Sequence, residues 1–150
     1  SFVFYNYFKN NFESTLTNVI TKIYKTDKSI VVRTTTIENL IYLDSLLWTF
    51  NLTSFIPHDR SGETISLETP VYLTTGKEVP NNAEILILVN GAKFSLKELD
   101  SFTKVVVIFC KNDPDSINQA RDIWQKLKLR EVEKQYWVQN ESGWMSRNNN

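Results

Sequence analysis

The stretch VVVIFC, residues 105–110, is the most apolar run of this 150-residue chain. An unbroken apolar run of this length, rich in β-branched residues, is typical of a strand covered on both faces of a parallel sheet. We therefore predict that it is a central strand. A second run of this kind, EILILV at residues 84–89, is followed by Asn90-Gly91, a turn signal that closes a second buried strand.

Strands and helices are predicted to alternate along the rest of the chain. Further β-type runs occupy residues 2–8, 29–34, 71–74 and 131–138, the last predicted to be an edge strand. Apolar residues at helical spacing predict helices over residues 12–24, over residues 36–48 with Thr36 as N-cap, and after Asp113. A shorter helix is expected after Ser95, which with Glu98 has capping-box spacing.

This alternation predicts an α/β fold, namely a single-domain, Rossmann-like, mostly parallel sheet flanked by helices with right-handed crossovers. The sequence shows no boundary or internal repeat, so we expect one domain over residues 1–147. The polar residues 148–150 are expected to form a disordered tail.

Composition limits the classes of function. Lysine plus arginine and aspartate plus glutamate each number 17, and this zero net charge argues against direct nucleic-acid binding, which usually needs a basic excess. No apolar run approaches about 18 residues, so no membrane helix is expected. The aromatic start lacks a basic leader and the chain has a single cysteine, which together predict a cytoplasmic protein.

The sequence predicts neither a nucleotide-binding loop nor another cofactor site. A dinucleotide site needs a glycine-rich turn after the first strand, but the segment there is Lys9-Asn10-Asn11. The glycines are scattered widely, at Gly62, Gly76, Gly91 and Gly143. One histidine and one cysteine, without a suitable carboxylate cluster, also predict no metal site.

Catalytic groups are scarce, so no intrinsic catalytic activity is expected. His58 stands alone in a Pro-His-Asp turn, where a histidine is usually a surface or loop-bracing residue. Cys110 ends an apolar strand, where a cysteine usually packs as a small hydrophobic residue. Strand ends can nevertheless hold a nucleophile, so a small α/β enzyme that uses Cys110 or His58 remains the alternative.

Two groups of aromatic residues suggest binding surfaces. In LDSLLWTFNLTSFIPHDRSGE, residues 43–63, Trp48 ends a helix and Phe55 shortly precedes Pro57. Such residues form docking patches, although they also commonly pack in cores. In the later helix, Arg121 and Trp124 are three apart and share a face.

Lys128 falls near the face of Arg121 and Trp124. A basic group beside an aromatic wall suits an acidic peptide with an apolar end. The alternative for this helix is a solvated Arg121 above a core Trp124.

In these residues and in further ones, the chain resembles the chi subunits of the bacterial DNA polymerase III holoenzyme. The main match comprises Leu43, Asp44, Leu47, Trp48, Ser54, Phe55, Ile56, Pro57, His58, Gly62 and Glu63. A weaker match is the run Ala120-Arg121-Asp122-Ile123-Trp124. The order of strands and helices fits across most of the chain, whereas residues 64–82 match poorly.

The resemblance implies a non-enzymatic replisome adaptor that contacts DNA only indirectly. It implies that Arg121, Trp124 and Lys128 bind the acidic C-terminal tail of single-stranded DNA-binding protein. It further implies that the psi subunit, or an equivalent clamp-loader component, binds at Trp48, Phe55 and Pro57.

The chain departs from the family pattern at one place in the later helix. Asn118 stands near the place where the family pattern has a further basic residue, and Lys126 or Lys128 is the candidate to compensate. Direct binding of single-stranded DNA on exposed aromatic residues is a third reading, which the neutral charge disfavours.

Overall fold

The computed structural model of the chain describes residues 1–50, 56–62 and 69–147. Its strands are β1 (Phe2–Asn6), β2 (Ile30–Arg33), β3 (His58–Arg60), β4 (Val71–Thr74), β5 (Ile85–Leu88), β6 (Lys104–Phe109), β7 (Lys134–Asn140) and β8 (Gly143–Ser146). Its helices are α1 (Phe12–Tyr24), α2 (Ile37–Thr49) and α3 (Pro114–Leu127), with a short 3-10 helix at Leu96–Ser101.

The strands form one sheet in the order β3-β4-β2-β5-β6-β1-β7-β8. Neighbouring strands are parallel throughout, except that β7 and β8 form an antiparallel hairpin. The predicted α/β fold with a mostly parallel sheet and flanking helices is therefore confirmed. The apolar run around Val106 is β6, which lies between β5 and β1 as a central strand.

The helices cover both faces of the sheet. Residues of α1 and α2 pack with one face in a first core cluster, whereas α3 and the 3-10 helix pack with the other face in a second. Side chains alternate along a strand, and in β1 this directs Phe4 into the cluster under α3 and Tyr5 toward α1. Phe4 therefore lies beneath α3, the helix that carries both Arg121 and Trp124.

Both predicted N-caps, Thr36 and Ser95, are confirmed, but the predicted capping box between Ser95 and Glu98 does not form. Thr36 Oγ1 accepts a hydrogen bond from the N–H of Asn39 at 3.1 Å, which fixes the start of α2. Ser95 Oγ instead accepts from the N–H of Lys97, and the carboxylate of Glu98 lies 2.9 Å from Arg33 Nη1. Because Arg33 is only 3% exposed, its charge needs a buried partner, and Glu98 serves that need instead of closing a capping box.

The sheet also extends further at both ends than the sequence predicts. The segment at His58–Arg60, predicted to be a turn, pairs with β4 as an edge strand. The predicted edge strand at residues 131–138 is β7, which lies between β1 and β8 and so is not an edge. The missed strand β8 follows a tight turn and begins at Gly143, whose φ of +115° is a conformation that favours glycine.

Residues 148–150, expected to be a disordered tail, lie outside the described residues, and the single domain over residues 1–147 stays a prediction. In the part of the chain that the structure describes, every helix is too short or too polar to cross a membrane.

Candidate functional site

A pocket of about 260 Å³ opens between α3 and the β1–β7 part of the sheet. The packing of α3 on the second core cluster leaves its flank of Ile117, Arg121 and Trp124 facing this opening. The lining residues are Phe4, Phe109, Ile117, Ala120, Arg121, Trp124, Gln125, Tyr136 and Arg147.

The wall of the pocket is a set of aromatic rings packed edge to face. The ring of Trp124 lies 5.0 Å from that of Phe4 and 5.9 Å from that of Tyr136, at interplanar angles of 71° and 89°. Phe4 and Tyr136 are direct partners in the β1–β7 register, so both rings emerge on the same face of the sheet. This packing holds the partly buried indole in place while one part of it lines the pocket.

The structure brings together two of the three residues predicted to bind the tail. Arg121 is exposed and lines the same pocket as Trp124, as their shared helix face predicts. A guanidinium stays protonated at any ordinary pH and only donates hydrogen bonds, so it places a fixed cation beside the aromatic wall. Lys128 is the exposed C-cap residue of α3 and is not among the lining residues.

Two cations near the wall were missed by the sequence analysis. Arg147 lines the pocket, and Lys134 Nζ lies 5.5 Å from the centroid of the Trp124 ring. Lys134 and Tyr136 are two apart in β7 and share a face, so alternation could have identified Lys134. Nothing in the sequence identified Arg147, because its position depends on the unpredicted β8.

A second candidate surface surrounds Trp48 near the end of α2. Trp48 is 57% exposed, Pro57 is exposed, and Phe55 lies outside the described residues. The ring of Trp48 stands edge-on to the ring of His58, with 5.2 Å between centroids. Ile41 is also exposed and shares a helix face with Trp48, so apolar surface extends along α2.

The histidine beside Trp48 is buried and contacts a partly exposed carboxylate. The side chain of His58 is fully buried, and its Nε2 lies 3.1 Å from Asp44 Oδ1. Arg60 Nε lies 3.5 Å from the other oxygen of Asp44, and His58 Nδ1 lies 2.9 Å from the carbonyl oxygen of Ile56. These contacts tie α2 to β3, so His58 is a buried residue of an edge strand that braces a helix, whereas the sequence predicts a surface or loop-bracing residue in a turn.

The structure does not bring the two candidate catalytic residues together. His58 lies in β3 and Cys110 follows β6, four strand positions away, which corresponds to roughly 19 Å or more. Cys110 is 5% exposed, and its N–H donates to Ser116 Oγ at 3.3 Å. Tyr7 is an ionisable residue close to Cys110. Burial is the main reason that its pKa is raised to about 12, and the nearby Cys110 and Asp113 raise it further, so this phenol is not a base at neutral pH.

Within residues 1–50, 56–62 and 69–147, no group of three or more histidine, cysteine, aspartate or glutamate side chains is placed to hold a metal ion. The pocket lining combines two guanidinium groups with an aromatic wall, which can recognise a ligand by charge and by apolar contact.

Comparison with known proteins gives concordant similarities. The family model for the DNA polymerase III chi subunit, HolC, matches residues 1–135. A probable DNA polymerase III subunit chi from Rickettsia prowazekii (strain Madrid E) is 26% identical over 102 residues, which cover 65% of this chain and 62% of that protein. The DNA polymerase III subunit chi of Haemophilus influenzae (strain ATCC 51907 / DSM 11121 / KW20 / Rd) is 25% identical over 114 residues, 75% of this chain and 77% of that protein.

The aligned part of the chain thus spans less than two thirds of the Rickettsia relative. The family match includes α3 and the first two residues of β7, and it ends before β8 and Arg147.

Proposed function

This chain belongs to the DNA polymerase III chi subunit family, and on that premise we propose that it is a non-catalytic adaptor in DNA replication. The pocket of Arg121 and Trp124 binds the acidic C-terminal tail of single-stranded DNA-binding protein. The surface around Trp48 and Pro57 binds a clamp-loader component, either a psi subunit or its equivalent. Contact with DNA is indirect, and the protein acts in the bacterial cytoplasm, where the chromosome is replicated.

The observation that supports tail binding is the shared pocket of a guanidinium and an aromatic wall. A chain end with an apolar last residue presents a side chain for the wall and a free carboxylate for Arg121. The volume of about 260 Å³ is just below the ~300–1,000 Å³ of typical small-molecule sites. It suits the last side chains of a peptide better than a drug-sized ligand.

Lys128 has a smaller part in this proposal. It is exposed one turn beyond Trp124 and outside the lining, so it attracts an acidic peptide only across solvent. Such exposed charge pairs contribute little, and salt screens them over about 10 Å at 0.1 M.

The surface proposed for the clamp-loader partner rests on the exposure of Trp48. Trp48 is exposed, and tryptophan is among the residues that most often dominate the binding energy at interfaces. The ring of Trp48 rests against the buried His58, which in turn contacts Asp44 of the same helix.

The test of tail binding is Arg121→Ala, with the acidic tail peptide titrated by calorimetry. One charge-assisted hydrogen bond contributes roughly 1.5–3 kcal/mol, so we expect the affinity to fall about ten- to a hundredfold. The affinity of the unmodified protein is expected to fall as salt is raised, because the contact is partly exposed.

The matched control is Arg130→Ala, which removes the same charge just beyond α3 and outside the lining. It is expected to change the affinity less than about twofold, as surface charges usually do. Circular dichroism should show both variants folded. An unchanged affinity in Arg121→Ala, or an equal loss in the control, would contradict the assignment of the tail to this pocket.

A further inference from the structure

We propose that Arg147 is the second cation of the pocket, and that the pocket therefore selects chain ends with two neighbouring carboxylates. One is the free terminal carboxylate and the other is an acidic side chain just before the apolar end. This inference rests on the proposed binding of an acidic peptide tail, and it adds the residue that distinguishes acidic from neutral side chains next to the end of the tail.

The β7–β8 hairpin determines where Arg147 lies. Trp137 is paired with Ser146, and the ladder continues one step further because the N–H of Arg147 donates to the carbonyl oxygen of Tyr136 at 2.7 Å. Residues that are directly opposite in an antiparallel pair extend to the same face. The ring of Tyr136 faces the pocket, so Arg147 is directed to the pocket as well.

The two guanidiniums reach the pocket from different elements. Arg121 extends from α3, whereas Arg147 extends from the end of the sheet, and the aromatic wall is the surface they share. Among the nine described lining residues none is acidic. A ligand with one carboxylate would balance only one of these two charges, whereas a ligand with two would balance both.

The hairpin strand that brings Arg147 lies beyond the matched family region, which ends at residue 135. On α3 itself, Asn118 is exposed and neutral, so the helix adds no cation at that position. The second positive charge of this pocket thus comes from the C-terminal hairpin instead of from the helix.

The experiment compares two synthetic peptides with the same apolar C-terminal residue and free carboxylate. One carries aspartates before the end and the other carries asparagines there. Arg147→Gln is expected to weaken the aspartate peptide roughly tenfold and the asparagine peptide less than about twofold. Arg121→Ala is expected to weaken both, and Arg147→Lys should retain part of the preference because it keeps the charge.

Lys134→Gln is the matched control, because it removes a cation near the Trp124 ring that is not part of the lining. If it weakens the aspartate peptide as much as Arg147→Gln does, the preference is a general charge effect and the inference is wrong. Equal effects of Arg147→Gln on both peptides, or no effect, would also overturn it. Failure of the unmodified protein to bind either peptide would instead refute the proposed tail binding itself.

Discussion

The pocket at α3 and the surface around Trp48 each contain a tryptophan near a basic residue, but they present the indole differently. Trp124 is partly buried, packs against Phe4 and Tyr136, and lines a concave pocket. Trp48 is mostly exposed and stands edge-on over a buried His58. A recessed ring with cations around it suits a narrow chain end, whereas a projecting ring suits a broad apolar partner surface.

The two regions also lie far apart. α2 covers one face of the sheet and α3 covers the other, and β3 and β1 are five strand positions apart. Five spacings correspond to roughly 24 Å across the sheet. This separation would let the two proposed partners bind at the same time, as the proposed adaptor role requires.

The largest expected effect is on the stability of the protein, which a substitution in the pocket should lower much more than one at Trp48. Phe4 is buried beneath the pocket, so Phe4→Ala should lower the free energy of unfolding by about 3–5 kcal/mol. Trp48→Ala removes an exposed ring, and we expect a loss below about 1 kcal/mol. Urea denaturation followed by circular dichroism measures both, and similar losses would show that Trp48 is part of the core.

A smaller effect concerns binding, because a substitution at Trp48 should weaken only one of the two proposed partners. Trp48→Ala should weaken binding of the clamp-loader partner by about 2 kcal/mol, or roughly thirtyfold, because an interface tryptophan is usually a hot spot. Affinity for the tail peptide should not change. Trp144→Ala is the control, since Trp144 is 37% exposed near the opposite edge of the sheet. If calorimetry gives the same loss for both variants, the partner does not bind specifically at Trp48.

The smallest expected effect concerns the edge of the pocket. Lys128→Gln should weaken the tail peptide less than about twofold at 0.15 M salt, because Lys128 acts only through solvent. The same titration as for Arg121→Ala measures it. A tenfold loss would mean that the peptide runs along α3 past its end, and the limits of the site would have to be extended.

Much of the fold could be predicted because it depends on patterns that are local in the sequence. The helical spacing of apolar residues gave the bounds Phe12–Tyr24 of α1, and the apolar run at residues 105–110 identified β6 to within one residue. By contrast, β3 and β8 are short strands at the sheet edges with polar or mixed sequences. Pairing with a neighbour stabilises them, and no local pattern reveals such pairing.

In the candidate site, too, local sequence patterns could place some residues and not others. Arg121 and Trp124 could be placed together because a spacing of three on one helix fixes their common face. Arg147 could not be placed, because its position depends on the register of a hairpin that the sequence did not predict. Glu98 illustrates the opposite error, since its capping-box spacing was correct while the buried Arg33 attracted its carboxylate.

The place of β1 in the sheet has a consequence for synthesis on the ribosome. β1 is flanked by β6 and β7, so the first strand described here finds its neighbours only when the last third of the chain has emerged. At about 5–20 residues per second, translation of the roughly 100 residues between β1 and β6 takes on the order of 5–20 s. Throughout that interval β1 has neither of its sheet neighbours, so Phe2 and Phe4 lack the strands that flank them in the folded protein.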